Sequence, residues 1–281
     1  MKYGMDDYEA AIRPVKRQLF EELAAKLQRR SPAVVSDGSG SPAGPSRVLE
    51  VGIGTGPNFP FFTAALAGVA TGSAGEASGA DSAAAGPAQI PAPTQIQIQL
   101  VGLDPNPEML RFARESAAQA GVRLASGLPG GDAAGGDAGT TPAQSGAGSA
   151  LEVAGLVEGD VGSLPFADGE FDAAVCTLVL CSVPSQAAAL AELRRVVRPG
   201  GSLLLIEHVA AGPERLLMRL AQSVLTPLQR ALADGCCLNR DTGRAVAEAG
   251  WDAREGGALR RFDLEGMSIL APHVAGVLPR A

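Results

Sequence analysis

The 281-residue sequence is poor in aromatic residues, histidine and cysteine, and it carries fewer basic than acidic side chains. It has one Trp, two Tyr, two His and four Cys, and 23 Lys and Arg against 30 Asp and Glu give a net charge of −7. Proteins that bind nucleic acids through phosphates normally present a basic surface, so we predict no nucleic-acid partner. The cysteines lack Cys-x-x-Cys spacing, which disfavours a zinc ribbon or a disulfide scaffold, and we predict no metal site.

Long hydrophobic runs are also missing. No apolar stretch approaches the roughly 18 residues needed to cross a bilayer, so we expect no transmembrane segment. The first residues, MKYGMDDYEAAIRPVKRQ, include acids and lack the apolar core of a secretory signal. Free thiols fit a reducing compartment. We therefore expect a cytoplasmic location, with an organelle left open, and the sequence does not indicate an oligomeric state.

Glycine and proline are abundant instead, with 36 and 20 residues. Much of this excess lies in three stretches of Gly, Ala, Ser and Pro at 31–46, 68–95 and 126–150. Such segments cannot bury enough apolar surface to fold, so we predict disordered inserts at 68–95 and 126–150. The rest has the size of one medium domain, which we place at 47–281 behind an N-terminal helix within 1–30.

The N-terminal segment has helical periodicity. Apolar residues recur at steps of three and four, which predicts one buried stripe. Its members are Tyr8, Ile12, Val15, Leu19, Leu23 and Leu27. Proline is tolerated in the first turn of a helix, so we expect the regular helix to start near Pro14.

Strands and helices then alternate along the chain. Predicted strands lie at Arg47–Val51, Ile96–Asp104, Leu151–Glu158, Phe171–Leu180 and Ser202–Glu207, with weak ones near Trp251–Glu255 and Met267–Leu278. One predicted helix follows the glycine-rich segment after the first strand and ends at about Leu66. The others cover Pro107–Ala120, Gln186–Val197, Pro213–Ala233 and the stretch from the cap Asp241 to Ala249. This alternation indicates an α/β fold with a doubly wound, mostly parallel, seven-stranded sheet flanked by helices.

The first strand runs directly into a glycine-rich turn, Glu50-Val51-Gly52-Ile53-Gly54-Thr55-Gly56. A strand-to-helix turn of this kind lets the backbone approach a ligand and points helix N–H groups at it. Pro57 breaks the dinucleotide pattern Gly-x-Gly-x-x-Gly, yet the turn alone leaves a nicotinamide enzyme as an alternative.

Acidic residues close the next two strands, on the side of the sheet where ligands bind. Asp104 is suited to accept both hydroxyls of a ribose, and the alternative is a solvated carboxylate at a strand end. Asp160 is placed to accept from an adenine amino group, with Val161 packing on the ring, and the alternative for Asp160 is a turn or helix cap.

These motifs, with the RPGG turn before the fifth strand, resemble the Rossmann-like class I S-adenosylmethionine (SAM)-dependent methyltransferases over about Arg47–Val209. The resemblance implies that SAM is the cofactor. It assigns the methionine part to Glu50, Gly52, Gly54 and Gly56, the ribose to Asp104, and the adenine to Asp160 and Val161. Thr177, where the fourth strand opens, is a further candidate near the sulfonium.

A narrower resemblance reaches from about Tyr8 to Leu278. The segments GIGTGPNF, DPNPEML, CTLVLCSVP, EHVAAGPERL, LADGCCLNRDTG and APHVAGV are similar to the methyltransferase-like thiol S-methyltransferases of animals and their plant and algal relatives. It implies methyl transfer with thiol sulfur as the favoured acceptor atom, and a small, apolar acceptor is expected if the leucine-rich stretch within Pro213–Ala233 lines the acceptor pocket. A C- or O-methyltransferase of a quinone- or phenol-like molecule and a non-catalytic SAM-binding protein remain alternatives.

Three residues are candidates for the acceptor side. His208 ends the fifth strand and is the candidate base or substrate-orienting group, with a structural histidine as the alternative. Asp234 and Asn239 lie in a polar turn after a leucine-rich stretch, and capping of the next helix is their alternative. We expect those leucines to form core or a pocket lid. Nearby arginines leave a peripheral membrane contact open.

Overall fold

The structure is a computed structural model that describes residues 5–30, 44–70, 96–125, 150–252 and 258–280. Its six α-helices in these ranges are α1 (Met5–Arg30), α2 (Phe59–Ala70), α3 (Pro107–Gln119), α4 (Gln186–Val196), α5 (Leu216–Leu232) and α6 (Thr242–Glu248). The strands are β1 (Ser46–Val51), β2 (Ile98–Asp104), β3 (Arg123–Leu124), β4 (Leu151–Glu158), β5 (Phe171–Thr177), β6 (Val197–His208), β7 (Leu259–Asp263) and β8 (Pro272–Pro279). A 3₁₀ turn, Ser268–Leu270, precedes β8.

The strands form one sheet in the order β3-β4-β2-β1-β5-β6-β8-β7. Pairing is parallel from β3 through β6, and β8 runs antiparallel to both of its neighbours. The chain proceeds outward from β1 to β2 and β4, then returns to the other side of β1 with β5. This reversal creates a topological switch point at the carboxyl end of β1, where open α/β sheets bind ligands. The doubly wound, mostly parallel fold predicted from the sequence is confirmed.

Two apolar layers cover the faces of the sheet. Helices α1, α2 and α3 contribute to one core cluster, in which Leu204 and Ile206 of β6 take part. Helices α4 and α6 contribute to the other, to which β6 supplies Leu203 and Leu205. The alternation along β6 is the period-two pattern of a strand buried on both faces.

The sheet has eight strands rather than the predicted seven. The additional strand, β3, pairs with the start of β4. It is only two residues long, which is too short for a recognisable hydrophobic pattern. Of the predicted strand near Trp251–Glu255, residues 253–255 lie outside the described residues, and Trp251 forms an isolated bridge with Arg280. The seventh strand in chain order is Leu259–Asp263, an edge strand that pairs with β8 and carries two exposed arginines.

Helix α1 begins well before the predicted start, with Pro14 in its interior. Proline removes one backbone donor and clashes with the preceding turn, which normally disfavours this position. Ile12 on one side of Pro14 and Leu19 on the other are both buried in the core. Burial of the stripe on both sides of Pro14 outweighs the local cost and keeps the helix continuous.

The low-complexity inserts fall almost entirely outside the described residues, so their predicted disorder stays a prediction. The first residues of the first insert, 68–70, belong to the last turn of α2. The second insert follows the short strand β3 rather than a helix. Since β3 pairs with the first residues of β4, this junction still lies at the edge opposite the carboxyl ends of the strands.

The leucine-rich helix α5 is exposed, contrary to the expectation that it forms core or a pocket lid. Within the described ranges its large apolar side chains face solvent, with Leu217 at 85% and Leu216 at 73% relative exposure. The buried positions are polar instead, Gln222 and Thr226. Gln222 donates to the carbonyls of Val209 and Ile269 and accepts from the Ala211 N–H, which fastens the polar face inward.

Candidate functional site

The glycine-rich turn sits at the carboxyl end of β1, at the switch point of the sheet. The Ile53 N–H donates to the Leu103 carbonyl of β2 at 3.1 Å, and the Gly56 N–H donates to the Ile53 carbonyl at 2.9 Å. Gly52, Gly54 and Gly56 all have positive φ, at 63°, 54° and 79°. Left-handed backbone is costly for residues with a Cβ atom, which explains why the turn is built from glycine.

The three glycines differ in what surrounds them. A Cβ atom on Gly52 would lie 2.4 Å from the Val179 side chain, and one on Gly56 would lie 2.2 Å from the Phe59 ring. A Cβ atom on Gly54 would meet nothing closer than the Gly52 carbonyl oxygen at 4.0 Å. Packing within the protein therefore requires glycine at 52 and 56, whereas the space beside Gly54 is open to a ligand.

Asp104, at the end of β2, faces the same turn. Its Oδ2 accepts from the Gly54 N–H and its Oδ1 from the Asn106 N–H, both at 2.9 Å. A carboxylate oxygen has two lone-pair positions, so each oxygen keeps one for a further donor. Asp104 is 7% exposed, which places a nearly buried acceptor beside the open side of the turn.

Glu50 is a fully buried carboxyl group below the turn. The Asn58 side-chain amide donates to Glu50 Oε1 at 2.7 Å and to Thr177 Oγ1 at 3.0 Å, which joins β1, α2 and β5. Glu50 Oε2 and Asn58 Oδ1 have no hydrogen-bond partner among the described residues. Burial raises the pKa of Glu50 to about 7, against the hydrogen bond from Asn58 and the charge of Lys16, which both lower it.

Lys16 reaches this region from α1. It is 2% exposed, pairs with Glu9 at 3.0 Å and lies over the Phe61 ring. The N-terminal helix thus contributes to the electrostatics of the turn and is part of the same structure as the sheet.

Asp160 and Val161 follow β4. Asp160 is exposed, and its Oδ1 accepts from the Gly162 N–H at 2.6 Å, which is the turn-capping contact that the sequence left as an alternative. Val161 is 6% exposed and packs in the core cluster on the α4 side. Neither observation tests their predicted adenine contacts, which stay predictions.

His208 lies at the end of β6, on the side of the sheet covered by α1. It is 3% exposed, and neither ring nitrogen has a hydrogen-bond partner within the described ranges. Burial lowers the pKa of His208 to about 4, so the ring is neutral at pH 7. A base with such a low pKa is weak, and both roles predicted for His208 stay predictions.

A second histidine adjoins it. His273 of β8 pairs in register with His208, with ring centroids 5.8 Å apart. The His273 Nδ1 lies 2.9 Å from the Ala271 carbonyl, which requires a proton on Nδ1 and leaves Nε2 as the acceptor for Tyr8 Oη at 2.7 Å. Burial lowers the pKa of His273 to about 4. Tyr8 therefore joins α1 to the start of β8, beside the carboxyl end of β6.

Glu207 organises the loop after β5. It is completely buried and accepts from the backbone N–H groups of Val179, Leu180 and Cys181 at 2.8, 2.9 and 3.1 Å. Leu178 adopts a positive φ of 60°, so the chain turns toward this carboxyl group and β5 ends at Thr177 rather than at the predicted Leu180. Burial raises the pKa of Glu207 well above its ordinary value.

The thiols of Cys181 and Cys236 lie at this loop and interact with each other. The Cys237 N–H donates to the Cys181 carbonyl at 2.8 Å, which brings the segment after α5 against the loop after β5. A hydrogen bond from Cys181 lowers the pKa of Cys236, whereas that bond and burial raise the pKa of Cys181. Burial also raises the pKa of Tyr8, and the charge of Glu207 raises it further. These groups form one titratable cluster at the carboxyl ends of β5 and β6.

Asp234 and Asn239 are both exposed. Asp234 has a positive φ of 45° in the turn that ends α5. The cap of α6 is Asp241, as predicted, whose side chain accepts from the Arg244 N–H. Arg240 donates to the carbonyls of Leu180 and Val183, which holds this segment beside the loop after β5. The acceptor roles predicted for Asp234 and Asn239 stay predictions.

Comparison with known protein families finds a match to part of the chain. Residues 81–205 match the family described as "Methyltransferase domain", a range that starts after the glycine turn and takes in β2, β4, β5 and most of β6. The matched range is 125 of the 281 residues of the chain.

Individual proteins resemble parts of the chain. The human protein named thiol S-methyltransferase TMT1B is 48% identical over 83 residues, which are 30% of this chain and 34% of that protein. A demethylmenaquinone methyltransferase of Beutenbergia cavernae is 42% identical over 81 residues, 28% of this chain and 34% of that protein. The chain thus spans about a third of the length of these curated relatives. The solved structure of a SAM-dependent methyltransferase from Methanosarcina mazei is 16% identical, with a TM-score of 0.48. The alignment covers 84% of this chain and 92% of that chain.

The residues around the glycine turn fit SAM, the cofactor that the sequence resemblance implies. Glu50 Oε2 is a buried acceptor without a partner, suited to an ammonium group. Gly54 leaves open space, and Asp104 keeps free lone pairs beside it. The structure brings together Glu50, Gly54, Asp104 and Thr177, whereas Asp160 and His208 lie at the ends of neighbouring strands.

Sequence reasoning missed four residues of this region: Asn58, Lys16, Glu207 and Tyr8. Two of them carried a signal. Asn58 is a polar residue just after the glycine turn, and Glu207 interrupts the apolar run of β6. Tyr8 and Lys16 fit an ordinary amphipathic helix, because Tyr8 contacts His273 of β8 and Lys16 lies over the Phe61 ring of α2, both distant in sequence.

Proposed function

We propose that the protein transfers a methyl group from SAM to a small apolar acceptor, with thiol sulfur as the favoured acceptor atom. One observation carries the proposal. The turn at the switch point combines the unpartnered, buried Glu50 Oε2 below it with the space beside Gly54 and the Asp104 carboxylate. Glu50 is suited to an ammonium group, the space beside Gly54 to a ligand that approaches the backbone closely, and Asp104 to ribose hydroxyls.

Bound SAM would supply an electrophilic methyl group on a sulfonium. The protein's part is to hold that group and the acceptor in line, since alignment alone supplies effective molarities of about 10⁵ M or more. Asp104 and Glu50 would hold the cofactor, and Thr177, whose Oγ1 accepts from the Asn58 amide that also binds Glu50, is the candidate near the sulfonium. Methyl transfer then leaves only the acceptor proton to be removed.

The titratable groups near the ends of β5 and β6 support sulfur as the acceptor. His208 and His273 have pKa values of about 4 and are weak bases, while the pKa values of Tyr8 and Glu207 are raised. Among the three acids Tyr8, Glu207 and Cys236, Cys236 is the one whose pKa is lowered. A thiol with a pKa of about 8.5 is already partly ionised at neutral pH and needs little base, whereas a phenol or a carbon acid needs more.

The relatives support the same order of acceptors. The name of TMT1B states thiol S-methylation, and we carry that acceptor class to this chain as part of the proposal. The name of the Beutenbergia cavernae relative states a menaquinone precursor, which supports a quinone-like carbon acceptor as the second candidate.

An acceptor screen tests the proposal. The full chain is incubated with SAM labelled in the methyl group, together with matched pairs of acceptors such as an alkyl thiol and the corresponding alcohol, an aryl thiol and the corresponding phenol, and a demethylated quinol. We expect label in the thioether products. Label only in the quinol would favour the second candidate, and SAM binding without transfer to any acceptor would favour a non-catalytic binding protein.

A further inference from the structure

The exposed apolar face of α5 is a surface that the proposed reaction does not use. Seven large apolar side chains of this one helix are exposed: Leu216, Leu217, Leu220, Val224, Leu225, Leu228 and Leu232, at 37 to 85%. The other large hydrophobic residue exposed in the described ranges is Phe112, at 38%. Contiguous apolar patches on a protein surface mark interaction sites.

The orientation of the helix is fixed by its polar side. Gln222 is completely buried and makes three hydrogen bonds, to Val209, Ala211 and Ile269. Thr226 is also buried, and its hydroxyl donates to the Gln222 carbonyl at 2.7 Å. Turning the leucines inward would break these bonds and bury polar groups without partners, which is costly. The fold therefore presents the apolar side outward.

Charge distinguishes this helix from the rest of the chain. Residues 216–232 include Arg219 and Arg230 and no acidic residue, in a chain with a net charge of −7. Arg215 stands directly before the helix and pairs with Asp263. An apolar stripe with arginines beside it is the pattern of a helix that lies in the interface of a bilayer, where arginine side chains reach the headgroups.

A second copy of the chain would fit this surface less well. In a two-fold symmetric contact the same face meets itself, so both arginines of each helix would enter one interface. The helix offers no carboxylate to pair with them. Anionic headgroups supply the opposite charge and leave the leucines in an apolar environment.

We propose that α5 docks the protein on an anionic lipid surface, with its leucines among the acyl chains and Arg219 and Arg230 at the headgroups. The segment between β6 and α5 is held by Gln222 and starts beside His208, so docking would place the acceptor side close to the membrane. An apolar acceptor dissolved in the bilayer would then have a short path to the site. This last link rests on the proposed function, whereas lipid binding itself does not.

Vesicle co-sedimentation of the full chain tests the docking. The probes are vesicles of phosphatidylcholine alone and vesicles with about 30% phosphatidylserine. We expect the protein to sediment with the anionic vesicles and less with the neutral ones. The variant L217Q/L220Q/V224Q should lower the partition coefficient at least about tenfold, since each apolar side chain lost from the acyl region weakens binding. The matched control Phe112→Gln removes an exposed apolar side chain from α3 and should change nothing.

A charge variant separates the two contributions. R219Q/R230Q should reduce binding to anionic vesicles about threefold or more and leave binding to neutral vesicles unchanged. Circular dichroism and calorimetric SAM binding on the same preparations show that each variant is folded, so failure to dock is distinguished from failure of the proposed function. The proposal is overturned if the unmodified chain does not bind anionic vesicles, if L217Q/L220Q/V224Q binds them equally well, or if that variant instead abolishes a dimer seen in sedimentation.

Discussion

SAM affinity is expected to depend on pH through Glu50. The carboxyl group is fully buried, and burial raises its pKa to about 7. Below that pH the free protein holds Glu50 protonated, and a protonated carboxyl group is a poor partner for an ammonium group. Binding must then release a proton, and the cost grows by about 1.4 kcal/mol for each pH unit below the pKa.

The size of the effect follows from the same pKa. If Glu50 is ionised in the complex, the affinity is multiplied by the ionised fraction of the free protein. With a pKa of about 7, that fraction rises about 16-fold between about pH 5.5 and about pH 7.0. An α-amino group has a pKa of about 7.7 to 8.0, so the ligand's ammonium stays mostly charged over this range.

Calorimetric titration across this range measures the effect. The number of protons released at about pH 6 is obtained from buffers of different ionisation enthalpy and should approach one. Glu50→Gln has nearly the same shape and cannot ionise, so it should bind more weakly at neutral pH and lose the pH dependence. A wild-type affinity that is flat over the range, or a slope that survives in Glu50→Gln, would refute the assignment of Glu50 to the ammonium group.

Four further predictions concern single residues. Gly54→Ala should reduce SAM affinity in calorimetry, and its left-handed backbone should lower the free energy of unfolding by only about 1–2 kcal/mol. Gly56→Ala should lower the free energy of unfolding by about 1–3 kcal/mol more, because its Cβ atom meets the Phe59 ring, and urea unfolding of both variants measures the difference. Asp104→Ala should weaken SAM binding by about 1.5–3 kcal/mol through lost charge-assisted hydrogen bonds, and an unchanged affinity would remove Asp104 from the ribose role. His208→Ala should lower turnover more than SAM affinity, and equal losses would indicate a structural histidine. Glu50 has a pKa of about 7 in the native protein and 4.5 in the unfolded chain, so the native protein binds more protons between these values. The stability contributed by Glu50 should therefore fall by about 3 kcal/mol as pH rises from about 4.5 to about 7. Unfolding measured across this pH range should show the loss in the unmodified chain and not in Glu50→Gln.

The order of strands and helices could be read from the sequence because each central strand is a short apolar run followed by a turn signal. Leu151–Glu158 has the predicted bounds, and α3 and α4 end within one residue of them. The glycine turn and Asp104 were also predictable, since strand ends at a switch point collect functional groups in any doubly wound sheet.

What could not be predicted depends on partners distant in sequence. Tyr8 meets His273, 265 positions away, so its polar contact has no local signal. The end of β5 is set by Glu207, whose carboxyl group takes three amides of the following loop. Periodicity locates the apolar face of α5 but does not say whether that face turns inward, and Gln222 decides the orientation through bonds to Val209 and Ile269.

The most direct test of the account is calorimetric titration of the full chain at neutral pH with SAM and, in parallel, with NAD. The open side of the glycine turn, with Glu50, Gly54 and Asp104 around it, predicts saturable binding of SAM to one site and no binding of NAD. Binding of NAD without binding of SAM would contradict the central claim.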